Sequence, residues 1–272
     1  MVSWSGHIVP FVVTVAIWFI ATGLIAWADN RERGTFLKSL IIGGIGGVAG
    51  LIAILAASYS VSVGAVYLAF IGALLVWAWH EIGFLTGAAA GPRRTACPPD
   101  AKGLDRFAQA TATVLHHEIA LALTALMLIS LSWNAPNQIG ATVFVLMFGL
   151  RLSSKINLFI GVPNTSTEML PPHLDYLKSY FGRNRMTFLL AASIIAILGV
   201  AAWFASLAMA APTGSAEMVG ASLLFALCVL GALEHIFLAL PFRDGMLWGW
   251  ALPKRGAKRA SGRARANPNL RL

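Results

Sequence analysis

Long apolar stretches separated by polar connections dominate the chain. Seven of them are close to the length of about 20 residues that an α-helix needs to cross about 30 Å of hydrocarbon. Most charged residues lie in the connections and at the C-terminal end. The pattern therefore predicts an all-α, polytopic membrane protein with a bundle of about seven transmembrane helices. The predicted spans are residues 8–28, 38–58, 61–86, 107–132, 138–160, 187–210 and 217–241.

The composition agrees with a membrane protein and excludes an ordinary soluble domain. Charged residues make up 11% of the chain and hydrophobic residues 58%, whereas soluble proteins average about 25% charged residues. The formal net charge of +9 would suggest nucleic acid in a soluble protein. Here the basic residues belong mainly to connections and the C-terminal end, so we expect the lipid bilayer as a partner and no nucleic acid.

The distribution of Lys and Arg predicts the orientation of the helices. Basic residues flank the first, third and fifth connections and follow the seventh helix, whereas the second, fourth and sixth connections contain none. Because Lys and Arg accumulate on the cytoplasmic side of a membrane, we expect a periplasmic N-terminus and a cytoplasmic C-terminus. Residues 1–250 then form the transmembrane domain, and residues 251–272 form a basic, disordered cytoplasmic tail at the anionic lipid surface.

Three predicted helices contain adjacent His and Glu residues, although a charge in the middle of a membrane helix costs at least about 2.5–3.5 kcal/mol. At 1.5 Å per residue, these residues lie roughly 10–15 Å from the cytoplasmic helix ends. We infer one shared polar site in the inner half of the bilayer, supported by Arg151, Lys155 and Asn157 of the fifth helix. The candidate ligands are His80, Glu81, His116, His117, Glu118, Glu234 and His235.

Three interpretations of this site stay open. His and Glu are ligands for iron, zinc or manganese, but adjacent residues do not share a helix face, unlike the Glu-x-x-His pairs of di-iron bundles. An imidazole of His80, His117 or His235 could instead be the axial ligand of a haem or chlorophyll-type tetrapyrrole. The carboxylates could also pair with the histidines, Arg151 and Lys155 and fix helix packing, since charges inside membranes usually pair.

The fifth connection, residues 161–186, is about 26 residues long, and connections of this length are usually functional or mobile. A helical spacing of four of its residues predicts a short amphipathic helix on the inner membrane surface. Glu168 and His173 are candidates for closing the polar site from below. The residues at helical spacing are His173, Tyr176, Leu177 and Tyr180.

Motifs at helix ends and in connections carry a family resemblance. They are Trp79–Gly87, Gly91–Arg94, Cys97-Pro98, His117-Glu118, Pro136–Gln138, Arg151–Phe159, Gly161–Asn164, Leu170–Leu174 and Leu233–His235. In this order, over about residues 4–250, they resemble the photosynthetic complex assembly protein 2 (PuhE-type) family of purple bacteria. The resemblance implies an inner-membrane protein, encoded with reaction-centre genes, that assists assembly of the reaction centre–light-harvesting 1 complex or controls bacteriochlorophyll supply. It carries over no catalytic residue.

We therefore expect a non-catalytic assembly factor whose partners are subunits of the photosynthetic core complex or other assembly factors. Its His/Glu site would bind or hand over a bacteriochlorophyll-type pigment, or only stabilise the fold. The alternative is a membrane metalloenzyme with His/Glu-ligated iron that acts on a pigment, an isoprenoid or a lipid. A transporter is a third hypothesis, although the sequence has no obvious inverted repeat.

Overall fold

A computed structural model of the chain describes residues 2–165, 167, 170–241 and 244–251. Within these residues there is no β-strand, and seven helices are long and apolar enough to span a membrane. The all-α, multi-pass class is therefore confirmed. The helices are α1 (Val9–Asp29), α2 (Phe36–Ser58), α3 (Val63–Leu85), α4 (Gly103–Ser132), α5 (Ile139–Ile160), α6 (Phe188–Ala210) and α7 (Ala216–Ala239).

The helix boundaries follow from local sequence signals. Three helices begin directly after a hydroxyl residue whose side chain accepts a hydrogen bond from a backbone amide of the first turn, which is the usual N-cap interaction. The largest difference from the predicted spans is the start of α4, because its first turn is polar and escapes a search for apolar residues. The capping residues are Ser62, Thr187 and Ser215.

Helices α3 and α7 are the most buried helices of the bundle; α2 packs along α3, and α6 packs along α7. Phe70 of α3, Phe144 of α5 and Leu223 of α7 are fully buried in the common core. Where α2 crosses α3, a Cβ added to Gly50 would lie only 2.5 Å from the carbonyl oxygen of Gly72. Small residues allow the backbones of membrane helices to approach this closely.

The first, third and fifth connections lie at one end of the bundle, which we call the loop end. The opposite end contains the other three connections, between α2 and α3, α4 and α5, and α6 and α7. The basic connections identified in the sequence are those of the loop end, so the alternation of the helices agrees with the predicted topology. Which side of the membrane the loop end faces stays a prediction. The loop-end connections include residues 30–35, 86–102 and 161–187.

The connection between α3 and α4 turns back along α4. The carbonyl oxygen of Ala90 accepts a hydrogen bond from the His117 amide, and the Arg93 amide donates to the carbonyl oxygen of Ala112, both at 3.2 Å. A Cβ added to Gly91 would lie 2.2 Å from that Ala112 oxygen. Only glycine therefore lets this loop lie against the backbone of α4.

The short helix expected in the fifth connection is a 3₁₀-helix, Pro172–Tyr180. Its buried residues are Leu174, Leu177 and Tyr180, which are spaced by three because a 3₁₀-helix has three residues per turn. The α-helical spacing used in the sequence analysis therefore missed Leu174, which packs with Leu177 and Phe84 in a small core at the loop end.

Residues 244–251 return to the side of α1. Trp248 Nε1 donates a hydrogen bond to the carbonyl oxygen of Phe19 at 2.9 Å, and its ring lies edge-on to Trp18. Phe19 is near the middle of α1, so Trp248 lies about 15 Å from the level of Asp29 at the helix end. Residues 252–272, nearly all of the expected basic tail, lie outside the described residues.

Candidate functional site

An ionic cluster connects α3, α5 and α7. Arg151 Nη2 donates to Glu81 Oε2 at 3.1 Å, and Arg151 Nη1 lies 3.6 Å from Glu234 Oε1. Ser154 Oγ also donates to Glu234 Oε1, at 3.4 Å. The Glu81 side chain is 8% exposed and that of Glu234 is 42% exposed. Arg151 therefore neutralises one buried carboxylate and one much more accessible carboxylate.

A second ion pair lies one turn further along α5, where Lys155 Nζ donates to Glu118 Oε1 of α4. Arg151 and Lys155 are separated by one helical turn and so share a face of α5. The two sets of ion pairs join α3, α4, α5 and α7. We call their charged residues the ionic layer, which consists of Glu81, Glu118, Arg151, Lys155 and Glu234.

His117 is the buried neighbour of the ionic layer. It is 1% exposed, its Nε2 lies 4.0 Å from Glu81 Oε1, and its ring packs on Phe84. Neither ring nitrogen has a hydrogen-bond partner among the described residues, and neither has Glu81 Oε1. Because hydrogen bonds between such groups are about 1 Å shorter than this separation, a small movement of either side chain would join them.

Adjacent His and Glu residues point in different directions, because consecutive residues of an α-helix are about 100° apart. His80 Nε2 is hydrogen-bonded to Thr124 Oγ1 of α4 at 3.0 Å. His235 Nδ1 donates to the carbonyl oxygen of Gly231 at 2.8 Å, and its Nε2 lies 3.0 Å from Ser153 Oγ. His80 and His235 therefore bond to residues outside the ionic layer.

Three further residues proposed from the sequence also lie away from the ionic layer or cannot be placed. His116 is exposed on α4. Asn157 Nδ2 donates to Ser193 Oγ of α6 at 3.0 Å, so Asn157 joins α5 to α6. Glu168 lies outside the described residues.

His173 attaches the 3₁₀-helix to the end of α3. Its Nε2 donates to the carbonyl oxygen of Leu85 at 2.7 Å. Burial lowers the pKa of His173; the bond to Leu85 opposes this shift, and Arg33 and Arg94 add to it. A neutral imidazole therefore occupies this position at the end of α3 at neutral pH.

Two arginines that the site analysis of the sequence did not single out hold the loop end together. Arg93 Nε donates to the Tyr180 hydroxyl at 2.6 Å, and that hydroxyl donates to the carbonyl oxygen of Thr95 at 3.2 Å. Arg106 Nη2 donates to the carbonyl oxygen of Tyr180 at 2.6 Å. These contacts fix the 3₁₀-helix over the end of the bundle.

A cavity of about 840 Å³ lies beside the ionic layer. Helices α1, α3, α4, α5 and α7 form its walls, which are mainly apolar, and every residue of the ionic layer lines it. Trp18, Phe70 and Phe148 are among the apolar lining residues. Ligand sites in proteins are typically apolar cavities of about 300–1,000 Å³ with a few polar groups that orient the ligand. The arrangement suits an amphipathic molecule.

Asp29 is a cavity residue that the sequence analysis missed. It is the last residue of α1, it is 2% exposed, and it lines the cavity. Neither carboxyl oxygen has a hydrogen-bond partner in the part of the chain that the structure describes. In the sequence Asp29 follows the first predicted span directly, next to Asn30 and Arg31, and therefore resembles an ordinary loop residue.

The described residues do not bring the candidate histidines together at the cavity. They contain no group of three or more His, Cys, Asp and Glu side chains placed to hold a metal ion. No histidine lines the cavity, so His80, His117 and His235 are not placed to coordinate a tetrapyrrole inside it. A ligand in the cavity would meet carboxyl, hydroxyl, guanidinium and ammonium groups instead.

Comparison with known proteins shows the family of this chain. Residues 4–259 match the family described as "Protein of unknown function (DUF3623)". An "Uncharacterized 30.4 kDa protein in puhA 5'region" of Rhodobacter capsulatus is 37% identical over 245 residues, which cover 88% of this chain and 89% of that protein. No solved structure matches the chain. A multi-pass membrane protein with a cavity inside its helix bundle, this chain belongs to the DUF3623 family.

Proposed function

We propose that this protein is a non-catalytic assembly factor of the photosynthetic reaction centre–light-harvesting 1 complex in a bacterial inner membrane. In this proposal it holds an amphipathic ligand, with a bacteriochlorophyll-type pigment as the candidate, and transfers it to the complex or controls its supply. The observation that carries the proposal is the cavity of about 840 Å³ with apolar walls and a charged layer.

The cavity supports a ligand-binding role more directly than a structural one. The cavity is partly open, so a ligand can reach the ionic layer. The ion pairs of the ionic layer join four helices without filling the cavity. They would keep it open and orient a polar head group.

The relationship to a Rhodobacter capsulatus protein from the puhA 5' region supports a place in photosynthesis. The Gly91–Arg94 motif, which contributes to the family resemblance, forms the turn that lies against α4. The identification as a PuhE-type protein and the partnership with core-complex subunits are parts of the proposal. The role of the cavity does not depend on histidine coordination of the pigment.

A complementation experiment tests the proposal. The gene is deleted in the source bacterium and returned as wild type or as Ala78→Phe, which places a large ring in the cavity wall of α3. Ala202→Phe on α6, at an exposed position outside the cavity, is the matched control. We expect the wild type and Ala202→Phe to restore the near-infrared absorption of the core complex, and Ala78→Phe to fail at equal protein level.

Two results would contradict the proposal. Unchanged core-complex absorption in the deletion strain would reject the assembly role. Full restoration by Ala78→Phe would reject the role of the cavity. The wild-type protein purified in mild detergent is also examined by absorption spectroscopy and metal analysis. A pigment band without additional metal supports pigment handling, whereas a stoichiometric transition metal would favour the metalloenzyme.

A further inference from the structure

Asp29 presents an unusual group to the cavity. Its carboxyl group is buried and unpartnered among the described residues, and it lines the apolar cavity. Burying a polar group without a hydrogen bond costs free energy, and burying an unpaired charge costs more. Polar groups of this kind in native structures call for an explanation, and a bound head group supplies one.

The charges around the cavity limit which kinds of ligand head group can bind there. Among the described residues that line the cavity, Arg151 and Lys155 are the two basic ones, and both already contact carboxylates of the ionic layer. Asp29 and Glu81 both line the cavity. Within the described lining, four carboxyl groups therefore face two cations, so an anionic head would meet carboxyl groups that the cations do not fully compensate. The four carboxyl residues are Asp29, Glu81, Glu118 and Glu234.

The unpartnered atoms of the site are mostly acceptors. Besides both oxygens of Asp29, they include Glu81 Oε1 and Glu118 Oε2, with Arg151 Nε as a single donor. A hydroxyl group can donate to a carboxylate and can also accept from a protonated carboxyl group. It therefore satisfies Asp29 in either form, whereas a carboxylate head could accept only from the protonated form.

The remaining lining suits a long hydrocarbon chain. The cavity follows one face of α1 from Asp29 to Thr14, which corresponds to about 22 Å at 1.5 Å per residue. Along this length the wall includes Trp18 of α1 and Phe70 and Leu74 of α3. Burial of apolar surface would supply most of the binding free energy, and Asp29 would determine which head group is accepted.

We propose that the cavity selects neutral, hydroxyl-bearing amphiphiles over anionic ones, and that Asp29 is the residue that contacts the head group. This inference rests on the ligand-binding part of the proposed function and defines the chemistry of the ligand. A pigment that uses this site would present a neutral head, with its carboxyl groups esterified, and not a free carboxylate.

Native mass spectrometry of the full chain in mild detergent tests the selection. The probes are a long-chain primary alcohol and the fatty acid of the same chain length. We expect one alcohol per protein and binding of the fatty acid weaker by about tenfold or more, because the described cavity lining has more carboxyl groups than cations and opposes a further anionic group. Equal or tighter binding of the fatty acid would overturn the inference.

Two substitutions test whether Asp29 causes the preference for the alcohol over the fatty acid. Asp29→Leu removes the polar partner, and we expect it to weaken alcohol binding by about fivefold or more. Asp29→Asn keeps a donor and an acceptor without the charge, so we expect alcohol binding to remain and the discrimination against the fatty acid to decrease. Asp105→Asn, an exposed carboxylate bonded to Gln109 outside the cavity, is the control. Unchanged probe preferences in both Asp29 variants would contradict the role of Asp29.

The binding experiment and the complementation experiment test different claims, so either claim can be rejected without the other. If the alcohol is preferred but Ala78→Phe restores the core complex, the selectivity stands and the assembly role of the cavity is rejected. If Ala78→Phe blocks assembly but the probes bind without preference, the proposed function stands and the neutral-head inference is rejected.

Discussion

Replacing Arg151 by methionine removes the cation that Glu81 and Glu234 share while keeping a side chain of similar length. Glu81 is left in the bundle interior without its ion-pair partner, because its side chain is only 8% exposed. Removal of one partner from a buried ion pair typically costs about 3–5 kcal/mol. We therefore expect Arg151→Met to lower the free energy of unfolding by about 3 kcal/mol, since Arg151 itself is one-third exposed.

The same geometry predicts a much smaller effect at the other carboxylate. The Glu234 side chain is 42% exposed, and accessible ion pairs contribute about 0–1 kcal/mol. Glu234→Gln should therefore lower the free energy of unfolding by less than about 1 kcal/mol. The double variant Glu81→Gln/Arg151→Met removes the buried charge as well as its partner. It should recover at least half of the loss caused by Arg151→Met, because the two residues interact directly.

Equilibrium unfolding in mixed micelles, followed by circular dichroism, measures these differences. Lys178→Met is the matched control, because it breaks an accessible ion pair with Asp175 at the loop end and should cost about 0–1 kcal/mol. The reasoning is refuted if Arg151→Met is no more destabilising than Lys178→Met. It is refuted also if the double variant is less stable than Arg151→Met, since an unpaired Glu81 charge would then not be the cause.

Further predictions concern the loop end. Gly91→Ala should lower the free energy of unfolding by about 1–3 kcal/mol, because the added Cβ would lie 2.2 Å from a main-chain oxygen of α4. Gly64→Ala is the control and should not lower it, because nothing lies within 4 Å of a Cβ at that position. Equal thermal stability of the two variants would contradict this prediction. Tyr180→Phe removes the hydroxyl that accepts a hydrogen bond from Arg93, and it should lower the free energy of unfolding by about 1 kcal/mol. Proteolysis of the 3₁₀-helix should then be faster than in the wild type, and an unchanged cleavage rate would contradict this prediction. Burial lowers the pKa of His173 below its ordinary value of 6.5. The neutral imidazole therefore stabilises the docked 3₁₀-helix fully above pH 6.5, and this stabilisation is lost as the pH falls from 6.5 through the lowered pKa. Protease protection measured against pH should show this loss in the wild type and not in His173→Gln, and identical profiles would exclude His173 as its source.

The membrane plan was predictable because its signals are local. Each span requires only an uninterrupted apolar stretch of sufficient length, and each boundary is within four residues of its predicted position. The position of the ionic residues along the helices was predictable for the same reason: Arg151 and Lys155 share a face of α5 through helical spacing alone. The sequence also indicated which helices contribute charges.

Which side chains meet was not predictable from spacing. His80 and His235 were grouped with the neighbouring glutamates because they are adjacent in the sequence, yet they bond to Thr124 and Ser153 instead. Adjacent positions on a helix diverge by about 100°, so only one of the two can face a given neighbour. The choice depends on how each helix is rotated about its axis.

The apolar stretches and the basic connections were enough to predict a seven-span membrane protein with polar residues on four helices. The packing of the helices was needed to show that Asp29 lines a cavity, that no histidine does, and that Arg151 joins Glu81 to Glu234. The physical reason is that helix formation depends on neighbouring residues. The rotation and spacing of whole helices depend on contacts between distant residues, such as the close approach of α2 and α3.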